Sequence, residues 1–234
     1  MTRRLSILGT ASVIALTLAG AAPASAKPAP PPWALTGPYS PTIDPANFVR
    51  RVDNRYFPLT PGTTFHFVGH KGHTRQVDNE VVTHRLKHIL GIRATVVRDT
   101  VSERSGPVER TFDWYAQDRL GNVWYMGEDS LERHHGHFVR ASDSWKSGVG
   151  GAKPGIIMLG HPRLGDTYRQ EFFPPGDALD QAHVVSLEPL TTVEWSPVEP
   201  QFERKTYVAG VGEIAEKVTQ GGHEAFRLVS ITKR

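Results

Sequence analysis

Two carboxylates, Asp113 and Glu128, stand on either side of the turn-like stretch Asp118-Arg119-Leu120-Gly121. Farther along, Arg169 and Glu171 lie two residues apart in a strand-like run. Paired carboxyl groups can do acid–base chemistry when burial or a neighbour splits their two pKa values. Asp113, Glu128, Arg169 and Glu171 are therefore the candidate catalytic residues, although an Arg and a Glu two apart on one strand face serve equally well as a structural ion pair. Around the first pair the chain places Tyr115, Trp124, Gln117 and Asn122. Rings offer contact area and amides fix orientation, so these four form a candidate binding face for a small amphiphilic or aromatic ligand.

Histidine is the other chemically able residue, with 11 in the chain. His134, His135 and His137 cluster around Gly136, and imidazole binds Zn, Cu or Ni. No carboxylate sits at a familiar zinc spacing and there is no H-E-x-x-H, so only the histidines themselves point to a metal. No G-x-S-x-G elbow exists, and Gly148-Val149-Gly150-Gly151 does not open a helix that would cradle phosphate. With no cysteine at all, disulfides, thiolate metal sites and a thiol nucleophile are excluded. Nothing in the sequence calls for a cofactor.

These groups can act only if strands position them. Val108–Gln117 and Asn122–Gly127 read as a hairpin, with Gly121 supplying the positive φ of a tight turn. A loop of two or four residues puts Phe112, Trp114, Ala116, Val123 and Tyr125 on one apolar face, expected to be core. Thr111, Asp113, Tyr115, Gln117, Asn122, Trp124, Met126 and Glu128 then share the other face. An odd-length loop would turn one strand over. The rest of the chain from Thr63 on is also strand and turn. Thr63–Gly69, Glu80–Ile89, Ile92–Ser102, Tyr168–Phe172, His183–Glu188, Thr191–Trp195, Glu203–Ala209 and Ala225–Thr232 are rich in β-branched and aromatic residues, and many alternate with period two. Residues 129–166 are the least regular and read as a long excursion. Asp44 before Pro45 marks the start of a short N-terminal helix reaching about Val52. Many short strands without alternating helices predict a mainly β fold, an antiparallel barrel or strongly curved sheet.

Residues 1–26 carry Arg3 and Arg4, an apolar run from Leu5 to Ala19, and Ala24-Ser25-Ala26. That is the pattern of a cleavable signal peptide cut after Ala26, and it predicts a secreted, periplasmic or envelope protein with no integral membrane segment after cleavage. Whether the route is Sec or twin-arginine is open. Removing the signal leaves 25 basic and 24 acidic side chains. No basic stripe remains, so nucleic-acid binding has no electrostatic footprint. Residues 27–45 hold seven of the 18 prolines and read as an extended linker, with Trp33 and Tyr39 able to rest on the domain. Residues 46–234 are then one antiparallel β domain. Its oligomeric state is not encoded in any recognisable pattern.

Several stretches resemble a family of uncharacterised exported bacterial proteins. They are Val52-Asp53-Asn54 with Tyr56 through Thr63, Asp113 through Asp118 with Gly121 through Tyr125, Gly151 through Ile156, and Tyr168-Arg169-Gln170-Glu171. Tyr207 and Gly210 through Ile214 resemble closing strands of lipocalin-like or open-barrel exported β-proteins. The resemblance implies an exported β domain and assigns no catalytic residue. The expected function is binding of a small ligand or an envelope component. The alternatives are an exported enzyme using carboxylate acid–base chemistry and a structural or interaction module of the envelope.

Overall fold

The computed structural model describes residues 29–199 and 201–233; the signal peptide expected over residues 1–26, with its cleavage site, lies outside them. Sixteen strands follow in order. They are β1 (Asp53–Asn54), β2 (Phe57–Pro58), β3 (Thr63–Lys71), β4 (Thr74–Ile89), β5 (Ile92–Glu103), β6 (Gly106–Gln117), β7 (Val123–His134) and β8 (His137–Arg140). After them come β9 (Lys153–Met158), β10 (Thr167–Arg169), β11 (Glu171–Phe172), β12 (Gln181–Leu187), β13 (Leu190–Trp195), β14 (Phe202–Val208), β15 (Gly212–Gln220) and β16 (Glu224–Lys233). Apart from the small β1–β2 ribbon they form one antiparallel sheet.

Read across, the sheet starts at β10, passes through β12 to β16, crosses from β16 to β3, continues to β7 and ends at β9 and β11. Its two ends, β10 and β11, are consecutive in the chain and separated only by Gln170. The single segment Thr167–Phe172 thus pairs with β12 through its first half and with β9 through its second. The expected barrel is present, nearly closed, with this segment as its seam. Gly155 lies under the seam: a Cβ there would stand 2.2 Å from the Gln170 carbonyl oxygen, so only glycine lets the strands meet.

Most expected strands form and several run longer. Leu90 (φ 51°) and Gly91 (φ 77°) both adopt the left-handed conformation, which joins β4 to β5 through a two-residue turn. Three elements depart from expectation. The N-terminal helix is reduced to one 3-10 turn, Pro45–Asn47, capped by the Asp44 carboxylate accepting from the Ala46 N–H. Phe48 is already extended and bridges Asp118, which stops further winding. The stretch 129–166 is not one irregular excursion: it contains the end of β7, all of β8 and β9, and loops between. The charged strand β15 continues past Ile214 to Gln220 although its apolar positions are few.

The hairpin of β6 and β7 also differs. Gln117 pairs with Val123, leaving a five-residue connection. Its odd length turns β7 over relative to the even-loop expectation. Tyr115 now faces the same side as Val123 and Tyr125, while Trp124 and Met126 join Trp114 and Ala116. A bulge at Met126–Gly127 then shifts the register by one and brings Glu128 opposite Asp113.

Two apolar clusters result. Tyr115, Val123, Tyr125, Trp145, Phe57, Phe65 and Phe67 belong to the one inside the barrel. Ile92, Val96, Trp114, Ala116 and Met126 form a second on the outer surface of β4–β7, roofed by Ile43 and Phe48 of the N-terminal segment. The proline-rich segment lies along the domain from Trp33 to Phe48. Trp33 stacks on His183 with ring centroids 5.1 Å apart, Gln181 holds the Leu35 backbone, and the Tyr39 hydroxyl donates to the Pro154 carbonyl. Among the described residues no helix is long and apolar enough to cross a membrane.

Candidate functional site

Alternation along β4–β7 sends unusual residues inward. On β4 they are Asp78, Glu80 and Val82; on β5, Val97 and Asp99; on β6, Thr111, Asp113 and Tyr115; on β7, Tyr125, Glu128 and Ser130. All are buried. The face chosen from the sequence as binding face is therefore the barrel interior for Asp113, Tyr115 and Glu128.

Tyr125 organises this group. Its hydroxyl lies 2.6 Å from Asp113 Oδ1 and 2.8 Å from Glu128 Oε2. A phenol carries one proton, so the second short contact needs a proton on a carboxyl group. Burial, with Asp99 adding like charge, pushes Asp113 up to about 7, which supplies that proton near neutrality. Burial first, and the surrounding carboxylates second, push the Tyr115 and Tyr125 phenols well up, so both keep their protons. The Tyr115 and Tyr125 rings stack at 4.8 Å, and Trp145 meets Tyr125 edge-on at 5.4 Å. Trp145 is fixed by its backbone, which exchanges hydrogen bonds with Glu128 at 2.8 and 3.2 Å. Its indole N–H and the Tyr115 hydroxyl are buried and find no hydrogen-bond partner among the described residues.

A second polar group occupies the other side of the barrel. Lys205 on β14 is fully buried, with Nζ 3.1 Å from Glu194, 3.7 Å from Glu203 and 3.8 Å from Glu216. Gln170 and Thr192 donate to Glu194 at 2.9 and 3.2 Å. Burial pushes Glu203 well up against the opposing pull of Lys205.

The remaining sequence candidates are placed elsewhere. The Gln117 amide oxygen accepts from the Asp53 and Asn54 backbones, and its nitrogen donates to the Asp53 carboxylate. Asn122 donates to Asp118 and accepts from Gly160 N–H, while the Trp124 indole donates to Asp118. Gln117 thus ties the hairpin to β1, while Asn122 and Trp124 brace its tip on Asp118 and the Gly160 backbone. Arg169 donates to the Leu35 and Gly37 carbonyls and lies over the Tyr39 and Phe172 rings, tying the N-terminal segment to the seam. Glu171 is fully buried in that seam. His134 and His137 pair across the exposed β7–β8 turn with His135 at its tip, and His134 contacts Glu132 at 3.1 Å.

Sequence reasoning missed Asp78, Glu80, Asp99, Lys205 and Trp145. A signal for the first three was present: acids two apart, in step with Val82 and with Val97 and Val101, in runs otherwise typical of buried strand.

No protein-family description matches the chain, and no curated protein matches it significantly. Two solved structures align. One is a candidate exported protein with a YmcC-like fold from Bacteroides fragilis NCTC 9343. It is 10% identical, covers 77% of this chain and 100% of its own, and has a TM-score of 0.45. The other is a candidate lipoprotein from Parabacteroides distasonis ATCC 8503. It is 12% identical, covers 76% of this chain and 99% of its own, and has a TM-score of 0.38. Likeness at this level carries nothing about the activity of this chain.

Proposed function

We propose that the protein is an exported binding module that takes a small amphiphilic or aromatic molecule against Tyr115, Tyr125 and Trp145 inside the barrel, with Asp113 and Glu128 orienting its polar end. Export rests on Arg3-Arg4, the apolar run and Ala24-Ser25-Ala26. One observation carries the binding reading. Two aromatic side chains fixed against Tyr125 bury polar atoms, the Tyr115 hydroxyl and the Trp145 N–H, that no described residue satisfies. A buried polar atom left unpaired costs about 1–3 kcal/mol, a loss that a bound molecule with an acceptor atom would relieve. Fluorescence titration with 1-aminoanthracene, an aromatic amine, tests this. Saturable binding is expected, and Trp145→Phe and Tyr115→Phe should each weaken it about two- to tenfold. Absence of saturable binding, together with a bare mass in native mass spectrometry of protein secreted by its host, would overturn the reading.

A second reading, an enzyme with Asp113 as its acid–base group, is favoured by the carboxyl–phenol–carboxyl chain and by Asp113 standing near 7. Covalent trapping of Asp113 or Glu128 by a carbodiimide, accelerated as pH falls through 7 and blocked by the aromatic amine, would support it over simple binding.

A further inference from the structure

We propose that Asp78, Glu80 and Asp99 form a binding site for a hard divalent cation, Ca²⁺ foremost, inside the barrel beside the aromatic group. Each residue offers a carboxylate oxygen, and the three oxygens lie within 4.8 Å of one another. Oxygens bound to one Ca²⁺ at about 2.3–2.6 Å stand no farther apart than twice that length, so one ion reaches all three. An all-oxygen donor set suits Ca²⁺, Mg²⁺ or Mn²⁺ and disfavours the softer metals that take sulfur or imidazole.

Register places the three together. Asp78 and Glu80 are alternate residues of β4, and Asp99 faces inward from the neighbouring β5, where Val82 opposite Val97 fixes the phase. Two further observations point to something held there. Asp99 is 7% exposed, and its Oδ1 has no hydrogen-bond partner among the described residues. Outside the triad, Tyr115 is wholly buried and its hydroxyl is likewise unsatisfied. Tyr115 stacks nearly parallel to Tyr125, whose hydroxyl lies at the level of Asp113. Asp113 pairs with Val97, one inward step from Asp99, and Glu80 and Asp99 of the triad both act on the Tyr115 phenol, which therefore stands beside the same carboxylates. It is placed to hydrogen-bond a carboxylate or a water that holds the ion.

Terbium luminescence and thermal unfolding test the site on the exported chain after chelator treatment. Tb³⁺ emission excited through tyrosine is expected, quenched by competing Ca²⁺. Ca²⁺ at a hundredfold excess over its Kd is expected to raise Tm by about 5–10 °C. Asp99→Asn should weaken Ca²⁺ at least tenfold while leaving the chelator-treated protein folded by circular dichroism. Should Asp99→Asn fail to fold, Glu80→Gln is read in the same way. Absence of sensitised emission and of any Tm rise in 10 mM Ca²⁺ would overturn the proposal. So would a full Ca²⁺ response in a folded Asp99→Asn protein. Neither readout depends on the aromatic amine, so this site and the binding reading can fail separately.

Discussion

The two polar groups inside the barrel meet the same electrostatic problem differently. On the β13–β15 side, Lys205 sits among Glu194, Glu203 and Glu216, so the chain provides its own cation. On the β4–β7 side, the inward positions include Asp78, Glu80, Asp99, Glu109, Asp113 and Glu128 with two tyrosines, and protons ease the charge: burial raises Glu109 to about 8 and Asp113 to about 7, and Asp113 shares the Tyr125 hydroxyl with Glu128. A buried lysine fixes one positive charge among the glutamates of that side. Protons and ions come and go, so the carboxylate side is the one able to respond to pH and to solutes. Structure and sensitivity are thus separated across one barrel, with the seam residue Gln170 reaching the lysine side through Glu194.

Removing the lysine should have the largest effect. Lys205→Met strands buried glutamates and is expected to lose about 3–5 kcal/mol in urea unfolding at pH 7. A loss below 1 kcal/mol would erase the contrast between the two sides.

Tyr125→Phe comes next. It removes the hydroxyl that links Asp113 to Glu128 and should cost about 1–3 kcal/mol, again by urea unfolding.

Asp113→Asn tests the proton directly. Its pKa rises from an ordinary 3.8 to about 7 in the folded protein, so between those values the folded state holds the extra proton. Stability of the wild-type protein should therefore fall as pH rises from about 4 to 7, and this contribution should stay level on either side. The asparagine variant should lose that slope and gain more than about 1 kcal/mol at pH 8, seen as a Tm higher by at least 2–4 °C. An unchanged pH profile would mean that Asp113 is not the group that holds the proton.

The smallest effect is expected at the histidines. Replacing His134, His135 and His137 together by alanine should change stability by less than about 0.5 kcal/mol per site, because they occupy an exposed turn. A calorimetric Zn²⁺ titration that lost a tight site in this variant would move the metal chemistry out of the barrel interior.

The fold class was legible because β-branched and aromatic residues alternate over most of the chain, and turn glycines punctuate it. The phase of one hairpin was not. Gly121 suits an even or an odd loop, and what decides is Asp118, whose carboxylate accepts from Leu120 N–H, Asn122 N–H, the Asn122 amide and the Trp124 indole, and so holds a five-residue connection. The site was half legible for a related reason. Reading apolar residues as inside and charged ones as outside works where a sheet has one wet face. Here the outer face of β4–β7 is covered by Ile43 and Phe48, and the interior holds acids, so polarity alone sorts the faces wrongly. Asp113, Tyr115 and Glu128 were found because aromatic and acid recur together. Asp78, Glu80 and Asp99 are marked only by their phase with Val82, Val97 and Val101, a signal that is lost when faces are sorted by polarity. Trp145 lies in a glycine-rich loop with no periodicity and reaches the interior only through its pairing with Glu128.

The last joint of the ring is covalent. At Thr167–Phe172 the two ends of the sheet are the same stretch of backbone, so neither end offers a row of unpaired N–H and C=O groups to a neighbouring molecule. A single peptide cleavage near Gln170 would turn the ring into a ribbon with two fresh edges, each a template for intermolecular pairing. Gln170 is wholly buried, which keeps that bond away from any protease while the barrel stays shut. The burial of one glutamine then decides whether this sheet stays a closed ring or opens into the seed of an aggregate.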